Sequence, residues 1–410
     1  MASQSLPPEV PRPIAPLNAW PLLDGFDRDA VEAVLSRGVL CRGPEVPSLE
    51  REWSNFTGAQ HVVGVSSCTH ALQVTLAALG VGPGEEVLVP AYTFIGTALP
   101  ILHVGATPVF LDVDWQSCAP TIASICKAVT PRTRAIVPVH LHGIAVDVPG
   151  ISAALGARNI VVVEDACQAH GTRLDGRHVG TLAHAGCFSL NAVKNLPAGQ
   201  GGLVCTNDDR LADRIRGLAS HGIEHDGVVV EAGFSFGLTE FAAAVARSQL
   251  RKLARHSAAS RRNASIVSDA LAGIPLVHPP VIPPGCEPSW HKYMIRLDLS
   301  CCQRERRMAS VRDAVMDALR EEGIPVELWQ RRPLPTHPVF GGRSADEYPE
   351  TTRLLDSSFI LGTERHPLVA QSEAIVRHWS EVLRRVLATV PEIAMQRPCS
   401  QRHAVQGAKI

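Results

Sequence analysis

The chain has 410 residues, of which 45% are hydrophobic and 19% charged, and these values are ordinary for a soluble globular protein with more than one hydrophobic core. Its 39 basic and 40 acidic residues give a formal net charge of −1, which offers no electrostatic reason to expect binding to nucleic acid or to an anionic membrane. We expect neither a membrane span nor a secretory signal, because no apolar run is long enough and the proline-rich N-terminus lacks the signal pattern.

The 11 cysteines are odd in number and scattered through apolar segments, which argues against a disulfide framework. They show no CxxC spacing, and the adjacent pair Cys301 and Cys302 is poorly placed to bind one metal ion. We therefore expect no metal site and a reducing, cytoplasmic setting.

Short β-branched runs alternate with helical patterns along most of the chain. An amphipathic helix is predicted over 27–37, and a helix that ends in glycine over 69–80. Strands are predicted over 61–67, 85–92, 107–114, 135–141, 160–165 and 202–207. A long helix is predicted over 238–271, and a strand and further helices follow the proline-rich segment 272–291.

Buried strands that alternate with helices indicate an α/β fold with a mainly parallel sheet covered by helices. The changes in pattern divide the chain into an N-terminal arm, a large domain, a smaller C-terminal α+β domain and a loose tail. The predicted boundaries are 1–25, 26–271, 272–392 and 393–410.

Candidate site residues follow the predicted strands, and ligands of open α/β sheets bind at the carboxyl ends of strands. Ser67, Cys68 and Thr69 stand at the start of a helix, where amides and hydroxyls favour a phosphate, although simple helix capping is the alternative. Asp165 ends an apolar strand. It either caps a turn or needs a cationic partner such as a protonated pyridine nitrogen.

Lys194 is the only charged residue in the run SLNAVKNLPAGQGG, 189–202. A lysine amine in an apolar setting has a lowered pKa and can attack a carbonyl, whereas the alternative is a stem that lies along an apolar surface. A phosphate anchor, a carboxylate and a lysine, in this chain order, are the parts that hold pyridoxal 5′-phosphate. We therefore expect that cofactor.

Several segments, in the same order, resemble the DegT/DnrJ/EryC1/StrS aminotransferases, which are pyridoxal-phosphate enzymes of fold type I. The segments include VGVSSCTHAL, VVVEDACQAHG, CFSLNAVKNLPAGQGG and FSFGLTEFAAAVARSQL. The resemblance implies that Lys194 forms the Schiff base with the cofactor and later moves a proton. It also implies that Asp165 pairs with the pyridine nitrogen and that Gln168 bonds the phenolic oxygen of the ring.

The same resemblance implies further cofactor contacts. Cys68, through its backbone, Thr69 and Ser189 would hold the phosphate. Phe94 would stack on the ring, with Tyr92 as the second choice, and one of the two would pack in the core.

The chain departs from the family pattern at several positions. Cys68 replaces a glycine, and Gly237 replaces an arginine. Ser235 stands where the family has an asparagine that reaches the phosphate of a partner subunit. The resemblance thus implies a homodimer with a shared active site, in which Ser235 contacts the partner's cofactor.

The function implied is transfer of an amino group from glutamate or glutamine to a keto-sugar or keto-cyclitol, in the biosynthesis of antibiotics or other secondary metabolites. Two alternatives stay open. One is a lyase, dehydratase or cyclase that uses the same cofactor, such as an aminohydroxybenzoate-type enzyme. The other is a non-catalytic relative that serves binding or regulation, which the intact Lys194, Asp165 and Gln168 disfavour.

Overall fold

The computed structural model describes residues 16–156, 158–223, 227–300 and 305–396, with the backbone alone for 305–307 and 396. The α-helices are α1 Gly25–Arg37, α2 Glu45–Thr57, α3 Cys68–Ala78, α4 Ile95–His103, α5 Ile122–Ala128, α6 Val148–Leu155, α7 Asp209–Ala219, α8 Glu240–Leu271, α9 Glu305–Glu321, α10 Pro349–Ser357, α11 Glu373–Leu387 and α12 Val390–Gln396. The strands are β1 His61–Val65, β2 Glu86–Pro90, β3 Thr107–Leu111, β4 Thr133–Ile136, β5 Val161–Asp165, β6 Arg173–Leu174, β7 Arg177–His178, β8 Ala185–Ser189, β9 Gly202–Thr206, β10 Val277–His278, β11 Cys286–Glu287, β12 Tyr293–Leu297, β13 Val326–Glu327 and β14 Ser358–Leu361. Within these residues no helix combines the length and the apolar character needed to cross a bilayer.

The main sheet of the described residues has seven strands in the order β1-β9-β8-β5-β4-β2-β3. Its strands run parallel to their neighbours except β9, which is antiparallel to both β1 and β8. Helix α3 packs against β5, β8 and β9, and α2 packs against β1. The predicted α/β class with a mainly parallel sheet is confirmed.

The strand predicted over 135–141 is wrong in its second half, because β4 ends at Ile136. Pro138 has no N–H to donate to the sheet, so regular pairing stops there. A single bridge between Val139 and Asp165 continues the contact with β5. The chain then turns through a short 3₁₀ segment, Leu141–Gly143.

A second, antiparallel sheet follows α8, with the order β10-β12-β14-β13. A separate hydrophobic core joins this sheet to α9 and α11, and its members include Ile295, Val315 and Trp379. Since α8 contacts α1 and α2 as well as α11, the division at residue 272 stays a prediction. Residues 1–15 of the predicted arm and 397–410 of the predicted tail lie outside the described residues.

The topology places the candidate residues at one edge of the main sheet. Strands β1, β5 and β8 run in the same direction, since β1 and β8 both pair antiparallel with β9 and β5 is parallel to β8. Their carboxyl ends lead to Cys68, Asp165 and Ser189, respectively. Residues that are far apart in the sequence therefore meet where ligands of such sheets bind.

Candidate active site

The start of α3 presents hydrogen-bond donors of the kind that bind an anion. Ser67 is the N-cap, and its hydroxyl accepts the His70 N–H at 3.1 Å. Cys68 and Thr69 occupy the first turn, whose amides have no acceptor within the helix and which lies at the positive end of the helix dipole. Ser189 ends β8 and pairs with Gly202 of β9. Gly202 in turn packs directly on the Ser67–Cys68 peptide, so it brings Ser189 and the start of α3 together.

Replacing Gly202 with alanine is expected to damage this anion site. The added Cβ would lie 2.5 Å from the carbonyl carbon and oxygen of Ser67 and 2.8 Å from the Cys68 nitrogen, so the backbone must shift. Overpacking of this kind costs about 1–3 kcal/mol, and we expect weaker retention of pyridoxal phosphate together with a lower melting temperature. Gly25→Ala is the control, because its Cβ would meet nothing within 4 Å. Unchanged cofactor affinity in Gly202→Ala would show that the close approach does not matter.

Asp165 is a buried carboxylate, with 3% of its surface exposed. One oxygen accepts the Thr97 hydroxyl at 2.7 Å, and the other accepts the Cys167 N–H at 3.0 Å. The Thr97 hydroxyl is also within 2.9 Å of the Thr93 hydroxyl. Among the described residues no ion pair involving Asp165 was found, so the carboxylate is held in place while it lacks a bonded cation. A protonated pyridine nitrogen would supply that cation.

Lys194 lies in the loop between β8 and β9, here named the lysine loop, residues 190–201. Backbone hydrogen bonds close this loop, from Leu190 N–H to the Gly201 carbonyl at 2.9 Å and from Ala192 N–H to the Gly199 carbonyl at 3.0 Å. The Trp20 indole N–H donates to the Lys194 carbonyl at 3.2 Å. The backbone that carries the lysine is therefore fixed from two directions.

Burial lowers the pKa of the Lys194 amine, and Lys292 adds to that shift. The nearby Cys167, Asp165 and Cys68 act in the opposite direction, because each favours the charged amine. Lysine and carboxylate are thus electrostatic neighbours inside one site. A lowered pKa leaves more of the amine neutral near pH 8 than in an exposed lysine, and the neutral amine is the nucleophilic form.

Gln168 is buried, and its side-chain oxygen accepts the His142 N–H at 2.9 Å. That bond leaves the amide nitrogen as the donating end, as the predicted contact with a phenolic oxygen requires. His142 holds a left-handed backbone conformation with φ at 59°, which is rare outside glycine and common at functional sites.

Phe94 and Tyr92 differ in environment. Tyr92 is buried in a core cluster, with its ring edge-on to Trp329. Phe94 is 56% exposed and precedes α4. A Cβ placed on Gly96 would lie 3.0 Å from both the Phe94 ring and the Thr69 hydroxyl, so Phe94 lies next to the anion site. Of the two aromatic rings, Phe94 is the one available to a ligand.

Ser235 is exposed, and its backbone bridges that of Ser220. No hydrogen bond found among the described residues joins the Ser235 side chain to the group around Lys194. The other predicted residues, Cys68, Thr69, Asp165 and Ser189, are brought together with Lys194 or with one another within a single chain.

The sequence reasoning missed several polar groups around Lys194. Burial lowers the pKa of His142 and of His170 to about 3, and that of His291 well below its usual value. Lys292 donates to a Glu327 carboxylate oxygen at 2.6 Å. His142, His170 and His291 each have a buried ring nitrogen without a hydrogen-bond partner among the described residues. His142 and His291 have no local sequence signal, because only the fold brings their segments beside Lys194, whereas His170 stands in the VVVEDACQAHG segment but was given no role.

These residues fit pyridoxal phosphate. The start of α3 and Ser189 offer donors to a phosphate, Asp165 offers a buried carboxylate to a pyridine nitrogen, and Lys194 offers an amine to an aldehyde. The sequence profile described as the DegT/DnrJ/EryC1/StrS aminotransferase family matches residues 21–377. The chain belongs to this family. It is a pyridoxal-phosphate-dependent aminotransferase, and its predicted fold type and cofactor are confirmed.

Individual members of the DegT/DnrJ/EryC1/StrS family are also similar. A UDP-N-acetyl-3-dehydro-α-D-glucosamine 3-aminotransferase of Acidithiobacillus ferrooxidans is 41% identical over 300 residues, which cover 72% of this chain and 76% of the relative. The crystal structure of the aminotransferase TlmJ from Streptoalloteichus hindustanus has a TM-score of 0.82 and 31% identity, and covers 92% of this chain and 100% of its own. The crystal structure of 3-amino-5-hydroxybenzoic acid synthase has a TM-score of 0.82 and 30% identity, and covers 91% of this chain and 99% of its own.

Proposed function

We propose that the protein transfers an amino group from glutamate or glutamine to a nucleotide-linked keto-sugar. The observation that carries the proposal is that the buried Lys194 amine lies near the Asp165 carboxylate, which Thr97 holds in position by a hydrogen bond. Transamination needs such an amine, because a base must move a proton at the carbon that carries the amino group. The relative from Acidithiobacillus ferrooxidans, which is named for a UDP-linked keto-sugar, supports the choice of acceptor.

Each residue has a distinct task in this proposal. Pyridoxal phosphate, when bound, supplies a ring that withdraws electrons from the reacting carbon. Lys194 Nζ takes the α-proton from the donor and returns a proton to the carbon derived from the ketone. Asp165 keeps the pyridine nitrogen protonated, and Thr97 and the Cys167 N–H hold that carboxylate in position. Phe94 would cover one face of the ring.

The test is a pair of half-reactions followed by the absorbance of the bound cofactor. Glutamate or glutamine should convert the aldehyde form to the amine form and release the matching keto acid, and aspartate is the control donor. A UDP-linked 3-keto-sugar should then restore the first spectrum and gain an amino group that mass spectrometry detects. If neither donor changes the spectrum, or if the product carries no nitrogen, the proposal fails.

A second candidate is an aromatising enzyme of the aminohydroxybenzoate type, because the structure of 3-amino-5-hydroxybenzoic acid synthase matches nearly the whole chain. The two candidates differ in product. Elimination of water from a cyclic amino ketone would produce an aromatic ultraviolet absorbance, which transamination of a sugar does not. Keto-cyclitols belong in the same acceptor screen, and we keep the predicted place in antibiotic biosynthesis as a proposal that the preferred acceptor tests.

We also propose a homodimer whose two chains share each active site, in the reducing cytoplasm. Val229 and Val230 are 63% and 54% exposed on the segment that leads to Ser235, and exposed apolar surface of this kind marks contact sites. The cysteines Cys68 and Cys167 are free thiols, which agrees with a reducing compartment.

Ser235→Ala is expected to weaken cofactor retention by about tenfold to a hundredfold, because a hydroxyl bond to a charged phosphate oxygen contributes about 1.5–3 kcal/mol. Cofactor titration of the unchanged chain and of Ser235→Ala measures this difference in affinity, and sedimentation shows whether the protein is a dimer. Ser220→Ala, on the segment bridged to Ser235, is the matched control. A fully active monomer would contradict the shared site, and a dimer in which Ser235→Ala binds the cofactor normally would remove only the role of this serine.

A further inference from the structure

Two thiols lie beside the Asp165 carboxylate. The Cys68 and Cys167 sulfur atoms and a carboxylate oxygen of Asp165 all lie within 4.8 Å of one another. Cys68 and Asp165 are buried, Cys167 is partly buried, and both cysteines are free thiols. Cys68 stands at the start of α3 and Cys167 in the turn after β5, so the two thiols are far apart in the sequence and no spacing motif predicts the cluster.

The spacing suits a small, thiophilic cation. Three atoms within 4.8 Å of one another leave a point no more than about 2.8 Å from all of them, whereas zinc binds sulfur at about 2.3 Å and oxygen at about 2.0–2.2 Å. Side-chain rotations that move each sulfur inward by up to about 0.5 Å and the oxygen by up to about 0.8 Å would therefore complete three bonds. Solvent would provide a fourth ligand, as it does in open zinc sites.

We propose that Cys68, Cys167 and Asp165 form a binding site for a thiophilic divalent cation, such as Zn²⁺, when the chain carries no pyridoxal phosphate. Binding forms two metal–sulfur bonds and one metal–oxygen bond, and the two thiol protons pass to solvent. The charge of the cation replaces that of the two protons, which offsets the cost of two buried thiolates.

One neighbouring charge and one shared carboxylate affect whether the cation can bind. Lys194 is an electrostatic neighbour of all three ligands, and its positive charge opposes a cation. Asp165 is also the carboxylate proposed for the pyridine nitrogen, so one group would serve either the metal or the cofactor. The two ligands should therefore exclude each other.

Cobalt is the probe, because Co²⁺ adopts the same sites as Zn²⁺ and thiolate ligands give it a strong near-ultraviolet band. The full chain is stripped of its cofactor and titrated with Co²⁺, and zinc is then added in competition. We expect one Co²⁺ per chain with a thiolate band, displacement by Zn²⁺, and slower uptake of pyridoxal phosphate by the metal-bound protein. The cofactor-loaded protein should show no band.

Cys68→Ala and Cys167→Ala should each weaken Co²⁺ binding by about 100-fold or more, since each removes a direct ligand. Cys187→Ala is the matched control, because Cys187 is also buried on the adjacent strand but lies outside the cluster, and it should retain the band. Circular dichroism verifies that each variant is folded. A titration without a thiolate band, or alanine variants that bind Co²⁺ as tightly as the unchanged chain, would overturn the inference. These measurements need no turnover, so they are independent of the proposed acceptor.

Discussion

Lys194→Ala is expected to lose turnover by about 10⁴-fold or more, because Lys194 is the buried amine beside Asp165 that would take the donor's proton at the reacting carbon. The chain should still fold and should still bind pyridoxal phosphate through Asp165 and the start of α3, although without the covalent bond. Steady-state assays with the preferred donor measure the loss, and borohydride treatment followed by mass spectrometry shows whether the cofactor is attached.

Two further variants sharpen this test. Lys194→Arg keeps a positive charge but cannot form a Schiff base, so it should be as inactive as the alanine variant. Lys127→Ala removes an exposed lysine at the end of α5 and should leave the rate unchanged. Substantial turnover by Lys194→Ala would place the catalytic amine elsewhere, and the neighbouring Lys292 would be the first alternative.

Asp165→Ala is expected to slow the donor half-reaction by about 100- to 1,000-fold, the usual loss when a charged group that stabilises the transition state is removed. Without the carboxylate the pyridine nitrogen loses its anionic partner, and the ring withdraws electrons less strongly. Stopped-flow absorbance after addition of glutamate or glutamine measures this step directly, and cofactor titration separates it from weaker binding.

Thr97→Val is the graded comparison for Asp165→Ala. It removes the 2.7 Å hydrogen bond to the carboxylate and leaves the charge in place, so the slowing should stay within about tenfold. A near-normal half-reaction in Asp165→Ala would contradict the assignment. A Thr97→Val variant as slow as Asp165→Ala would mean that the position of the carboxylate matters as much as its charge.

Several of the strands and helices that position the site could be predicted from the sequence, because they are local patterns, but strand β8 over Ala185–Ser189 and helix α4 over Ile95–His103 were not predicted. The helix predicted over 238–271 is α8 over Glu240–Leu271, and the strand predicted over 160–165 is β5 over Val161–Asp165. Asp165 and Lys194 were identifiable because each departs from its local pattern: one is a charge at the end of an apolar run, and the other is a charge within an uncharged run.

The partners of these residues could not be predicted in the same way. Thr97 reaches Asp165 only because β2 and β5 flank β4 in the sheet, and nothing in the Thr93–Thr97 segment indicates that contact. The reversed direction of β9 was also not predicted, since a short apolar strand reads the same in either direction. The contact between the His142 N–H and Gln168 was not predicted, because it depends on a left-handed backbone conformation at His142 that the neighbouring residues do not indicate.

The reversal at β9 has a consequence for the order in which the protein forms. The lysine loop joins two adjacent antiparallel strands, so its closing contacts lie close together in the chain, and loops of about ten residues close within about 100 ns. Cys68 and Asp165 lie far from each other in the sequence and meet only when the parallel strands have assembled. The lysine loop can thus close early, whereas the Trp20 bond to Lys194 and the rest of the cofactor's binding surface form only when distant segments of the chain have come together. Pyridoxal phosphate would therefore be captured by an assembled protein and would stabilise it by mass action, without serving as a template for it.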